Sequence, residues 1–124
     1  MRSSILTISG NRSMNYLLDT VLSRSYKVVP VGDIYQGMIE LKRVRIDLII
    51  IDVDYHTQEN WDFIQHVQTS GLYQDLPIYI LTSDKESSLQ NSKSGGPALT
   101  LIHKPFSPLD ILRKAEELFA KTLI

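Results

Sequence analysis

Five short apolar runs alternate with amphipathic stretches along the chain, and this alternation predicts strands joined by helices. The runs lie at Ser4–Ser9, Tyr26–Val31, Ile46–Asp52, Leu76–Thr82 and Ala98–His103. The third run shows no polar alternation at its centre, which is typical of a strand covered by helices on both faces. The second run contains Pro30, which cannot donate a hydrogen bond to a neighbouring strand, so we expect this run at an edge of the sheet.

Apolar residues recur at helical spacing between the runs. The helical stripes are formed by Met14, Leu17, Leu18, Val21 and Leu22, by Ile34, Met38 and Leu41, by Trp61, Phe63, Ile64 and Val67, and by Ile111, Leu112, Ala115, Leu118 and Phe119. Asn11 and Ser107 are placed to cap the first and the last of these helices. Alternating strands and helices form right-handed crossovers and a parallel sheet. We therefore predict an α/β fold, a doubly wound five-stranded parallel sheet of order 2-1-3-4-5 with flavodoxin-like topology.

One segment, Asp84–Gly96, departs from this alternation. Leu89 is its only apolar residue, so a full helix there would have no face to bury. We expect a loop with at most one or two helical turns, which is the least ordered internal stretch of the chain and serves as an adaptable contact surface.

Length and composition narrow the class of protein. The 124 residues are enough for a single domain, 1–124, without a separate output domain. A formal net charge of −1 gives no reason to expect binding to nucleic acid or to an anionic membrane. The longest aliphatic run, Leu48 to Ile51, is far too short to span a bilayer, and the chain has no cysteine. We expect a cytoplasmic protein.

Three polar residues end or follow successive predicted strands. Asp52 closes the third strand, Thr82 closes the fourth, and Lys104 follows the fifth. Ligands of open α/β sheets bind beyond the carboxyl ends of the strands, so these side chains are the candidate site. Each has a simpler interpretation, because Asp52 and Thr82 could form turns or caps and Lys104 could merely neutralise Asp52. We expect Asp52 and Lys104 to lie close enough to pair directly.

With these residues in their sequence context, the chain resembles the receiver domain of two-component response regulators over essentially its whole length. The matching segments are Asp-Leu-Ile-Ile-Ile-Asp ending at Asp52, Leu-Pro-Ile-Tyr-Ile-Leu-Thr-Ser, and Lys-Pro-Phe from Lys104. The resemblance implies the receiver topology. It also implies that Asp52 is the phosphoacceptor, Thr82 the switch hydroxyl and Lys104 the phosphate-binding lysine, and that none is a catalytic residue of an enzyme.

The chain departs from the family at the metal site. Receivers usually end the first strand with an acidic pair that holds Mg²⁺ together with the phosphoacceptor, whereas Ser9 and Gly10 stand here. Because Mg²⁺ prefers carboxylates and water, one carboxylate opposed by a lysine is a poor site. Asp54 is a weak candidate for a second carboxylate ligand, and a solvated loop aspartate is the competing interpretation.

Three further departures concern the switch and the loop after the third strand. Leu101 replaces the aromatic residue that receivers place three before the lysine, and His56 and Asn60 replace the usual proline and glycine of that loop. His56 and His103 could suggest a metal site, but without a third ligand solvated side chains are the simpler interpretation.

These features leave three hypotheses, in this order. The first is a degenerate receiver that acts by protein–protein interaction without a cofactor. The second is an active receiver, in which Mg²⁺ assists transfer of a phosphoryl group from a histidine kinase to Asp52. The third is a flavodoxin-like small-ligand binder that uses Ser9-Gly10-Asn11-Arg12-Ser13 as a phosphate loop. In the first two hypotheses the partner is a protein, either a histidine kinase or an output protein.

Overall fold

A computed structural model describes residues 2–84 and 98–122 of the chain. Its strands are β1 (Ser4–Ile8), β2 (Lys27–Val31), β3 (Leu48–Asp52), β4 (Ile78–Thr82) and β5 (Leu99–His103), and its helices are α1 (Arg12–Leu22), α2 (Ile34–Arg43), α3 (Thr57–Thr69) and α4 (Pro108–Thr122). Each strand is one or two residues shorter than its apolar run, because four of the runs begin one or two residues before their strand and the first run ends one residue after its strand. The segment predicted as a loop, Asp84–Gly96 with Leu89, lies outside the described residues except for Asp84.

The five strands form one parallel sheet in the order β2-β1-β3-β4-β5, as predicted. Pro30 lies on β2, an edge strand, where its missing N–H interrupts no inner pairing. The strand β3 lies at the centre, and all five of its residues are buried.

Successive side chains of the central strands enter two different apolar layers. Ile49 and Ile51 of β3 pack in the layer beneath α2 and α3, whereas Leu48 and Ile50 pack in the layer beneath α1 and α4. Burial on both faces explains why this run is continuously apolar rather than alternating.

Capping residues define where two of the helices begin, and a glycine lies where α2 packs on the sheet. The side chains of Asn11 and Asp33 accept hydrogen bonds from the backbone N–H groups of Met14 and Gln36, so each caps its helix. At Gly37 of α2, a Cβ atom would lie 2.8 Å from Cδ1 of Ile8, so a larger residue there would have to displace the end of the Ile8 side chain. Within the described residues, no helix combines the length and the apolar character that crossing a bilayer requires.

Candidate functional site

The carboxyl ends of β3 and β5 bring Asp52 and Lys104 together. The Asp52 side chain has no exposed surface, and Nζ of Lys104 lies 2.9 Å from both of its carboxylate oxygens. The Lys104 side chain keeps 20% of its surface exposed, so the ammonium lies at the boundary between core and solvent. The predicted direct pair is therefore confirmed.

Two neutral donors complete the surroundings of the Asp52 carboxylate. The hydroxyl of Ser9, at the end of β1, donates to Oδ2 over 3.3 Å, and the backbone N–H of Asp54 donates to Oδ1 over 3.1 Å. Both oxygens are thus already bound by groups of the chain. Hydrogen bonds between an ammonium and a carboxylate are shorter and stronger than those between neutral groups.

Asp54 is not the solvated loop aspartate that the simpler interpretation expected. Its Oδ2 atom lies 2.9 Å from Nζ of Lys104, and it accepts hydrogen bonds from the backbone N–H and the hydroxyl of Ser83. The loop after β3 turns back over the sheet edge, and Ser83 after β4 fixes the carboxylate there. One ammonium therefore serves two carboxylates, and the three groups together carry one negative charge.

The pKa values of the two partly buried residues, Asp54 and Lys104, follow from this arrangement. Partial burial opposes ionisation of Asp54, but hydrogen bonds from Lys104 and Ser83 outweigh it, so the pKa of Asp54 is lowered. Burial likewise opposes the charge on Lys104, but hydrogen bonds and attraction from Asp54 and Asp52 raise its pKa. The ammonium and the Asp54 carboxylate thus stabilise each other at neutral pH.

Thr82 lies at the same edge but faces Asp54 rather than Asp52. Its buried hydroxyl lies 3.5 Å from Oδ1 of Asp54 and accepts a hydrogen bond of 3.0 Å from the backbone N–H of Asp84. The hydroxyl therefore helps to fix the chain that leaves β4.

The end of β1 leads into a turn that Ser9 and Gly10 form. The hydroxyl of Ser9 accepts a hydrogen bond from the backbone N–H of Asn11, so it serves the turn as well as Asp52. A Cβ atom at Gly10 would lie 3.3 Å from Cβ of Tyr55, so a larger residue there would have to displace Tyr55 slightly. Across residues 2–84 and 98–122, no group of three or more histidines or carboxylates is arranged to hold a metal ion.

Asn60 lies in the first turn of α3, whereas the sequence pattern predicted it in the loop after the third strand. Its Nδ2 atom donates to the backbone carbonyl oxygens of Asp52, over 3.3 Å, and of Tyr55. It therefore ties the helix to the strand end and to the loop that carries Asp54. His56 precedes the helix in the left-handed conformation, with φ of 53°, and makes no side-chain cap. In the sequence, only the position of Asn60 shortly after a strand could have indicated its role. For Ser83, the only such indication was that it directly follows Thr82.

Comparisons with known proteins agree with this architecture. No protein-family model matches the chain. Among curated proteins, hybrid signal transduction histidine kinase D of Dictyostelium discoideum is 22% identical over 114 residues, which is 92% of this chain. The chain spans only 7% of the length of that relative.

Solved structures provide the stronger likeness. Chemotaxis protein CheY4 of Vibrio cholerae is similar with a TM-score of 0.82 and 23% identity, covering 94% of this chain and 98% of that one. The signal receiver domain of a signal transduction histidine kinase from Syntrophus aciditrophicus gives a TM-score of 0.83 and 19% identity, covering 96% and 91%. A response regulator from Thermotoga maritima gives 0.81 and 19%, covering 97% and 99%. The chain therefore has the fold of receiver domains.

Proposed function

We propose that this chain is a receiver-like domain of two-component signal transduction that acts through protein–protein contact, without a normal Mg²⁺-dependent phosphorylation cycle. The observation that carries the proposal is the bonding of Asp52, whose two oxygens are bound by Lys104, by Ser9 and by the N–H of Asp54. The curated relative, a hybrid histidine kinase, supports the signalling class of the proposal.

The donor set near Asp52 does not fit Mg²⁺ while Lys104 occupies it. Mg²⁺ requires near-octahedral oxygen coordination and is usually held by carboxylates and water. The end of β1 contributes the neutral hydroxyl of Ser9 and a glycine against Tyr55, and the ammonium of Lys104 holds the two carboxylates that remain. Phosphoryl transfer depends on cations that neutralise the negative charge developing on the transferred group, so a site without the metal lacks most of this stabilisation.

Under this proposal, the site residues occupy the positions of the receiver's functional residues but do not take part in phosphoryl transfer. Asp52 keeps the phosphoacceptor position, Lys104 the position of the phosphate-binding lysine and Thr82 that of the switch hydroxyl, while the ion pairs stabilise one arrangement of the strand ends. The expected partner is a histidine kinase or an output protein, met in the cytoplasm, and no enzymatic activity is proposed.

A second candidate function, an active receiver phosphorylated on Asp52, is favoured by the position of Asp54. The Asp54 carboxylate and the Asp52 carboxylate both bind the ammonium of Lys104, so a cation that displaced Lys104 would contact two carboxylates at once. The third interpretation, a phosphate loop at the start of α1, gains no such support, because the Asn11 side chain already occupies the N–H of Met14.

The deciding experiment is incubation of the protein with Mg²⁺ and acetyl phosphate, followed by intact-mass spectrometry. We expect no phosphoryl adduct on the wild-type chain. A Ser9→Asp/Gly10→Asp variant restores the acidic pair and is the matched control for a working assay, with Asp52→Asn to locate any adduct. A wild-type adduct that Asp52→Asn abolishes would establish the second candidate instead.

A further inference from the structure

A groove between α2 and α3 exposes apolar side chains on the face of the two helices. It encloses about 290 Å³ and is lined by Ile34, Tyr35, Met38, Glu59, Asp62, Phe63 and His66. Ile34, Met38 and Phe63 form an apolar floor that continues into the core beneath the two helices. Tyr35, on the rim, is 63% exposed, and Ile39, one turn further along α2, is 57% exposed.

The exposure of Tyr35 and Ile39 follows from their angle on the helix. The buried face of α2 contains Gly37 and Leu41. Tyr35 is offset from it towards α3, where its hydroxyl reaches Glu59, and Ile39 lies one turn further on the outer face of the helix, so the two residues continue the apolar surface outward from Met38. A polar residue at either position would serve a solvated helix face equally well. Two adjacent large apolar residues next to an apolar cleft are instead typical of a contact surface.

The charge of the groove indicates what fits it. Glu59 and Asp62 line its α3 wall, and both are exposed. Glu59 accepts a hydrogen bond from the Tyr35 hydroxyl at 3.5 Å, and Asp62 accepts one from Gln58 at 2.9 Å. Within the part of the chain that the structure describes, neither carboxylate forms a salt bridge with a lysine or arginine. The basic residue Lys42 lies at the far end of α2, one turn beyond Ile39.

We propose that this groove docks an amphipathic helix of a partner protein, with the apolar face of that helix on Tyr35, Met38 and Ile39 and its lysines or arginines on Glu59 and Asp62. Helices bind in such grooves through apolar anchors at i, i+3, i+4 and i+7, and complementary charge selects the partner and its direction. The inference goes beyond the proposed function, because none of these residues contacts Asp52 or Lys104 through a described hydrogen bond or ion pair.

The test uses a synthetic helical peptide with a leucine face and lysines on its other positions, titrated into the ¹⁵N-labelled full chain. We expect saturable chemical-shift changes centred on α2 and α3. Glu59→Gln/Asp62→Asn should weaken binding roughly fivefold, since each exposed ion pair contributes little. Ile39→Ser should weaken it about tenfold by removing buried apolar area. A Tyr16→Ser/Leu17→Ser variant, which changes an exposed apolar pair on α1, is the matched control and should bind normally.

Several results would overturn the inference. These are shift changes that map elsewhere, equal binding of a peptide with glutamates in place of the lysines, or unchanged affinity in the Ile39→Ser variant. Self-association of the chain through α2 and α3, seen by sedimentation and lost in Ile39→Ser, would assign the groove to a second copy and also overturn it. Asp52→Asn should leave peptide binding unchanged, so the result is separate from the phosphodonor experiment.

Discussion

Replacing Lys104 with methionine tests whether the ion pairs stabilise the strand ends. Methionine keeps much of the apolar stem but leaves Asp52, which has no exposed side-chain surface, without its ammonium. Breaking a buried pair on one side typically costs about 3–5 kcal/mol. The site is partly solvated at Lys104, and the Ser9 hydroxyl and the Asp54 N–H remain on the carboxylate, so we expect the lower end, about 3 kcal/mol.

The expected loss is large enough for routine measurement. For a chain of this size, about 3 kcal/mol lowers the melting temperature by roughly 10 °C. Chemical denaturation should show the same loss with an unchanged slope, because the surface exposed on unfolding stays the same. Lys114→Met, at an exposed lysine of α4, is the matched control and should change stability by less than about 0.5 kcal/mol.

The pH dependence supplies an independent check. Since the folded-state pKa of Asp54 is lowered, its contribution to stability is present above the ordinary aspartate pKa and is lost as the pH falls through the lowered value. The raised pKa of Lys104 gives a contribution that is complete below its ordinary value of 10.5 and is lost as the pH rises through the raised value. The difference between wild type and Lys104→Met should therefore be largest near neutral pH and shrink below about pH 4.

A double-mutant cycle shows which outcome refutes the reasoning. Asp52→Asn/Lys104→Met removes both charges, and it should recover much of the stability that Lys104→Met loses. Wild-type stability of Lys104→Met at pH 7, or a double variant no more stable than the single one, would show that the pair contributes nothing to folding.

Substitutions at three further residues test other contacts of the fold. Ser9→Asp adds a third carboxylate next to those of Asp52 and Asp54, so it should destabilise the chain by about 1–3 kcal/mol in chelator, and Mg²⁺ should restore stability in thermal melts. Asn60→Ala removes the amide donor to the buried carbonyl of Asp52 and to the carbonyl of Tyr55 and should cost about 1–3 kcal/mol in urea titrations, whereas Asn60→Gln should restore part of the loss. Tyr79→Phe removes a 2.8 Å hydrogen bond to the carbonyl of Lys114, at a cost of about 1 kcal/mol. Burial raises the pKa of Tyr79 to about 12, so the contribution of Tyr79 to folding stability is complete below pH 10 and declines as the pH rises towards 12. Ultraviolet titration should show one tyrosine that ionises near pH 12 in the wild type and is missing in Tyr79→Phe.

The sequence by itself determined the architecture of this protein. Apolar runs alternating with helical stripes predicted the parallel sheet and its order, and Pro30 correctly marked an edge strand. These predictions succeed because burial on two faces imposes a repeating pattern that a local window of residues contains. The pairing of Asp52 with Lys104 was also predictable, since the carboxyl ends of parallel strands meet at one edge of the sheet.

Only the tertiary structure decided how the loops complete the site. Asp54 lies two residues beyond the strand, where the backbone no longer follows a repeating pattern, and its direction depends on Ser83 from another strand. Asn60 acts through carbonyl oxygens that its helix meets only after packing on the sheet. The groove beside Tyr35 likewise exists only because α2 and α3 lie side by side. Periodicity specifies which face of an element is buried, but contacts between residues distant in sequence are fixed only when the elements pack.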